Sequence, residues 1–195
     1  VASEKNTKNK ERSDGSPPLV TQLTAMIFGD KRPDPYTLIT FYINLFFWSC
    51  FFLWSVASYL TLSYRDLITE QKKIAVELII GGRGQELGFQ PETFLGRLET
   101  LHILQLVILV IVFAGLVLLY RKNIHFIYFT IGGMLTYTGL QIFFIGFRYF
   151  AEDITLFDKT AVLTMIASCI LYRLMLKREQ SGGTIGFFDE EEAVE

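Results

Sequence analysis

The sequence predicts an all-α integral membrane protein in which four transmembrane helices form a bundle, preceded by a short interfacial helix. Three observations predict it. Of the 195 residues, 51% are hydrophobic and 15% aromatic, and the apolar residues are gathered in blocks instead of being spread at the spacing of a soluble core. Residues 101–120 carry no acid or base except His102, and residues 124–147 none except His125. Each run can therefore cross a hydrocarbon core of roughly 30 Å as a helix of about 20 residues. Only Arg121, Lys122 and Asn123 separate the two runs, as expected of a transmembrane helical hairpin.

The elements follow in order. Residues 1–18 are polar and end in Gly, Ser and Pro, a composition too poor in apolar surface to offset the entropy of ordering, so they are expected to be disordered. In the 19–36 segment Leu19, Val20, Leu23, Met26 and Ile27 fall on one helical face. That pattern fits either an interfacial anchor that docks another subunit or a short helix packed on the protein's own end. Asp34 before Pro35 is an N-cap and first-turn pair for the first span, residues 37–63. Eight of the fourteen residues 41–54 are aromatic. Such rings suit lipid contact, a neighbouring subunit, or a lipid, quinone or pigment laid against the helix.

Residues 64–97 form the one sizeable loop, about 33 residues long, beginning with an amphipathic continuation of the first helix that Gly81, Gly82 and Gly84 are expected to stop. The GGRG run is no phosphate loop, because no strand precedes it and no GK[ST] follows. Spans at 98–120, 124–147 and 156–176 complete the transmembrane domain, 37–178. Asp158 is expected to cap the last span, with Arg173 reaching back to the interface. The 179–195 tail is Gly-rich and then acidic, and its Phe187 and Phe188 resemble a linear docking element for a basic partner surface.

Charge sets the expected orientation. Lys31, Arg32, Arg121, Lys122, Lys177 and Arg178 fall at one side of the four spans, with Glu152 and Asp153 at the other, which places both termini in the cytoplasm or its equivalent. The contrast is reduced by Arg65, Lys72, Lys73, Arg83 and Arg97 in the long loop. A net charge of −2, with cations scattered at block edges, offers no face for nucleic acid. Cys50 and Cys169 lie at different depths, which argues against a disulfide.

Intramembrane polar residues are costly and so mark candidate sites. Glu99, His102 and Gln105 recur every third residue on the second span, and Gln141, Arg148 and Glu152 lie at matching depth on and beyond the third. A Glu99 to Arg148 ion pair extended by His102 and Gln141 would either register the hairpin or line a path for protons or a small polar solute. Glu99-x-x-His102 is half of a di-iron motif whose other half is absent, two histidines at opposite helix ends cannot both ligate one haem, and no Gly-x-Ser-x-Gly occurs. No metal site, resident cofactor or catalytic set is expected.

For helix packing, Gly132, Gly139 and Gly146 recur every seven residues with Thr136 between, a small-residue face expected to receive the fourth span at Ala161, Thr164 and Ser168, or a helix of another subunit. Asn44 is placed to hydrogen-bond a neighbouring helix. The leading expectation is a non-catalytic subunit or scaffold of a larger membrane protein complex, with lipids and other membrane subunits as partners. The rival is an ion or small-solute transport component using the polar cluster. A cofactor-binding electron-transfer or light-harvesting subunit is the third alternative.

Overall fold

The computed structural model describes residues 33–72 and 76–180. The expected disordered start, the interfacial helix with Leu19, Leu23, Met26 and Ile27, and the tail with Phe187 and Phe188 lie outside the described residues. Within them the chain is helical, with no strand: α1 Pro35–Ser63, α2 Arg65–Lys72, α3 Val76–Glu86, α4 Pro91–Tyr120, α5 Phe126–Ile145, α6 Phe147–Glu152 and α7 Leu156–Gln180. Four segments are long and apolar enough to cross a membrane: Pro35–Ser63, Pro91–Tyr120, Phe126–Ile145 and Leu156–Arg178. By length and composition the chain is an integral, multi-pass membrane protein.

The starts of the long helices are encoded locally. Asp34 accepts a hydrogen bond from the Thr37 backbone N–H at 3.1 Å, and Pro35 follows in the first turn. α7 begins earlier than Asp158 suggests. Thr155 is its cap: Thr155 Oγ1 accepts from the Asp158 backbone N–H at 3.1 Å and donates to the Asp158 carboxylate at 2.7 Å. This is a reciprocal arrangement of the capping-box kind, with Asp158 three residues inside.

The segment expected to be a glycine-broken loop is helical instead. Gly81, Gly82 and Gly84 all lie within α3, which ends at Glu86 and is closed off by Gly88 (φ +88°). There the Phe89 N–H returns to Gly84 O and the Gly88 N–H to Gln85 O, a Schellman termination. Two of the glycines serve contact with α4. A Cβ at Gly84 would lie 2.7 Å from the Phe94 ring, and one at Gly81 would lie 3.0 Å from Pro91. α3 and the start of α4 therefore approach more closely than side chains would allow.

α1 packs against α4 and α7, α4 against α5, and α5 against α7. All four contribute to one core through Phe51, Leu109, Val112, Met134, Tyr137, Ala161 and Met165. A second core joins the ends of α1 and α5 to α4 through Leu62, Phe94, Leu95, Leu98, Leu101 and Ile145. The tightest helix contact uses Gly115 of α4 and Gly133 of α5. A Cβ on Gly133 would meet Val112 Cγ2 at 2.5 Å, and one on Gly115 would meet Thr130 Oγ1 at 2.5 Å. The expected glycine face is offset from this contact. Gly132 and Gly139 have no atom within 4 Å of an added Cβ, and Thr136 is exposed beside them. Gly146 (φ +106°) is not a packing residue at all, since it breaks the helix between α5 and α6.

Polar side chains fasten α1 to its neighbours. Asn44, fully buried, donates through Nδ2 to Ser168 Oγ of α7 and to the Thr40 carbonyl, both at 2.8 Å. Trp48 Nε1 donates to the Leu109 carbonyl of α4 at 2.8 Å. Where α1 begins, the Asp34 carboxylate pairs with Lys122 of the α4–α5 turn, and Thr37 Oγ1 lies 2.6 Å from the Tyr172 hydroxyl of α7.

Burial pushes the Asp34 carboxyl up, but hydrogen bonds from Lys122 and Thr37 outweigh it and hold it below the usual 3.8. A depressed carboxyl stabilises the fold above its ordinary value, and that contribution disappears as pH falls through the lower folded value. Asp34→Ala removes the cap and the Lys122 contact together and is expected to destabilise the chain by about 1–2 kcal/mol. The test is the thermal midpoint in detergent near neutral pH, where the loss must exceed that of Lys122→Ala, which spares the cap.

Candidate functional site

The end of the long helices opposite Lys122 holds the candidate site, and its centre is a residue outside the expected cluster. Arg83 projects from α3 between three carboxylates. It pairs with Asp153 at 3.0 Å, with Glu152 at 2.7 Å and with Glu86 of its own helix. Arg148 of α6 joins the group, donating to Glu152 at 2.9 Å and to the Glu86 carbonyl at 3.0 Å. α3 and α6, which lie on either side of α4 in sequence, are thus tied by five charged side chains.

The Asp153, Glu152 and Glu86 hydrogen bonds raise the Arg83 guanidinium above its already high value, so it stays charged at every accessible pH. The hydrogen bonds from Arg148 and then Arg83 hold the Glu152 carboxyl below the usual 4.5. In sequence, Arg83 stands out only by its place in Gly82-Arg83-Gly84. The flanking glycines are the signal, since Gly84 lets α3 lie against Phe94 with the arginine beside it.

The structure divides the six expected cluster residues. Glu99 and Arg148 do not pair. Glu99 is half-buried on α4, whereas Arg148 is carried toward Glu86 because Gly146 ends α5 before it. The place opposite the end of α5 is taken by Arg97, which donates to the Phe144 carbonyl at 3.1 Å and lies 5.0 Å from the Phe89 ring centroid. Glu152 is in the Arg83 group. His102, Gln105 and Gln141 are buried and lie outside the ionic group.

His102 Nδ1 lies 2.7 Å from the Leu98 carbonyl, a partner that can only accept, so this nitrogen carries a proton. Gln105 Nε2 is buried with no hydrogen-bond partner among the described residues, and Ser55 Oγ on α1 is buried near the Tyr137 hydroxyl. The Trp48–Leu109 bond fixes the register of the antiparallel α1 and α4, and counting seven residues from each partner sets Ser55 level with His102.

Two cavities open beside these polar groups, with Trp54 lining both. One, of about 430 Å³, lies between α1, α3 and α4 and is lined by His102, Phe94, Arg83 and Tyr149. The other, of about 370 Å³, lies between α1, α5 and α7 and is lined by Phe51, Tyr137, Gln141 and Lys159. Both volumes fall in the range of small-ligand sites.

No family model matches the chain, and no curated protein or solved structure does either.

Among the described residues no three His, Cys, Asp or Glu side chains come together in a way that could hold a metal ion. The arrangement can do two things physically. Its ionic group fixes the position of α3 over the ends of α4 and α5, and its cavities can hold an apolar body against a few buried polar atoms.

Proposed function

We propose that the protein is a non-catalytic subunit or scaffold of a larger membrane protein complex, built as a four-helix bundle with both termini on the cytoplasmic or equivalent side. One observation carries the reading: the small residues Gly132, Thr136 and Gly139 form an outward stripe on α5 on which no described residue packs. The chain's own close contact uses Gly115 and Gly133 instead. Small-xxx-small stripes let helix backbones approach closely, and in a bilayer such packing replaces the hydrophobic drive that lipid does not supply. The occupant is a transmembrane helix of another subunit. The orientation is supported by Arg121, Lys122, Lys177 and Arg178, which gather at the end opposite Arg83.

The test uses protein taken from its native membrane in mild detergent. Gly132→Leu and Gly139→Leu are expected to leave the chain folded, because each added side chain meets open space, and to release the partner, so that the complex mass in native mass spectrometry drops to that of the chain alone. A lone, monodisperse species from unsubstituted protein would sink the proposal, as would a complex indifferent to both substitutions.

A further inference from the structure

The cavity of about 370 Å³ between α1, α5 and α7 carries an inference that stands independently of the subunit reading. Its walls are apolar and rich in rings: Phe51 and Trp54 from α1, Tyr137 from α5 and Phe150 from α6. Into it faces Gln141, which is 8% exposed and makes no hydrogen bond through its side chain with any described residue. A primary amide buried beside apolar walls without a partner is costly. The Gln141 amide is not among the sealed-off polar atoms, so it is open to a partner inside the cavity.

Charge at the cavity favours a neutral occupant. Asp158 and Lys159 both line the cavity and offset each other. Both are also engaged, the carboxylate with Thr155 Oγ1 at 2.7 Å and the ammonium with the Ala151 carbonyl at 2.9 Å. Lys159 further lies 5.3 Å from the Phe150 ring centroid, which fixes α6 over the cavity's end. Access is from the side. Trp54, Leu135 and Leu163 line the cavity and are 67%, 59% and 65% exposed, on faces that would meet lipid, so the occupant arrives from the hydrocarbon phase and can leave an apolar tail there. Ring-lined walls favour a flat conjugated head over a bare acyl chain, because offset and edge contacts add to burial.

We infer that this cavity binds the ring head of a neutral, lipid-soluble quinone, with Gln141 Nε2 donating to a ring carbonyl and the isoprenoid tail leaving between Leu135 and Leu163.

The chain holds two tryptophans, so Trp48→Phe leaves Trp54 at the cavity as the only indole. A decyl-substituted benzoquinone titrated into this protein in detergent is expected to quench Trp54 fluorescence saturably. Gln141→Leu should weaken the apparent affinity about tenfold, the loss of one buried hydrogen bond, and Leu163→Phe, which narrows the mouth without touching the core, should weaken it as well. In protein with both tryptophans, the same probe should raise the thermal midpoint in step with the logarithm of its concentration once that exceeds the dissociation constant, as a ligand of the folded state must, and Gln141→Leu should need about tenfold more probe for the same rise, with a midpoint no lower than the parent's in its absence. Linear quenching identical in all variants, with no thermal shift, would overturn the proposal in favour of simple partitioning. Displacement of the probe by monoolein at equal concentration would overturn it in favour of an acyl-lipid site.

Discussion

Replacing Gly115 by leucine is expected to force α4 from α5 and to destabilise the folded chain by about 3 kcal/mol or more, at the upper end of what overpacking costs. The reason lies in what surrounds it. An added Cβ would sit 2.5 Å from Thr130 Oγ1, 2.9 Å from Phe129 Cβ and 2.9 Å from the Thr130 backbone nitrogen. The last of these belongs to the main chain of α5 and cannot rotate away, so the helices must separate and lose the packing of Leu116, Val112 and Leu119, each fully buried.

Gly133 gives a graded comparison. Its added Cβ meets one side-chain methyl, Val112 Cγ2, at 2.5 Å, with the next atoms at 3.7 and 3.9 Å. Valine in a helix has one strongly preferred rotamer, so relief is partial and Gly133→Leu should cost less than Gly115→Leu. Gly132→Leu faces open space and should leave fold stability unchanged. Reversible SDS unfolding in mixed micelles reads this order directly. Equal midpoints for Gly115→Leu and Gly132→Leu would mean that the α4–α5 contact is not the one described.

That order also marks where the sequence could be read and where it could not. The four apolar spans were legible because length and freedom from charge are constraints imposed by the bilayer itself, independent of which helix touches which. Asn44 was legible for a related reason: a buried amide needs a partner, and it finds Ser168. The glycine face was legible as a stripe but its occupant was not, because a repeat of seven does not say which helix fills it, and the fourth span does not fill it. Gly132 and Gly133 differ by about 100° around the helix, and only the position of α4 decides which of them is inside.

The segment before α4 was misread for a different reason. Each glycine inside a helix costs about 1 kcal/mol relative to alanine, so Gly81, Gly82 and Gly84 signal a stop when α3 is considered alone. Contact of Gly84 with Phe94 and of Gly81 with Pro91 offsets that cost. This compensation is tertiary and leaves no local trace. The Glu99–Arg148 pair failed on one backbone angle, since the spacing argument carried α5 straight through Gly146.

Arg83→Met is expected to release α3 without unfolding the remainder. Exposed ion pairs taken singly contribute little, but here one guanidinium is shared by Asp153, Glu152 and Glu86. Its removal leaves Glu152 with Arg148 alone and Asp153 with no cation in reach of an ion pair among the described residues. The apolar contact of Gly84 on Phe94 remains, so the expected consequence is more frequent local opening, seen as amide exchange in α3 faster by about tenfold or more, with α4 and α5 unaffected. Arg148→Met should do less, because Arg148 is 61% exposed and pairs with one carboxylate.

The pH dependence discriminates this from lost packing. Glu152 has a depressed folded value, so its contribution is complete above its ordinary value of 4.5 and is lost as pH falls through the lower folded one. Arg83 itself does not titrate there. After correction for the intrinsic pH dependence of exchange, opening in the parent chain should rise on acidification and converge on that of Arg83→Met. A parent and variant that stay equally far apart down to pH 3 would show that the methylene stem of Arg83, and not its charge, holds α3 in place. Since Arg83 and Ile80 both line the larger cavity, the same opening would widen access to His102, which makes exchange in α3 and access to that cavity two readouts of one motion.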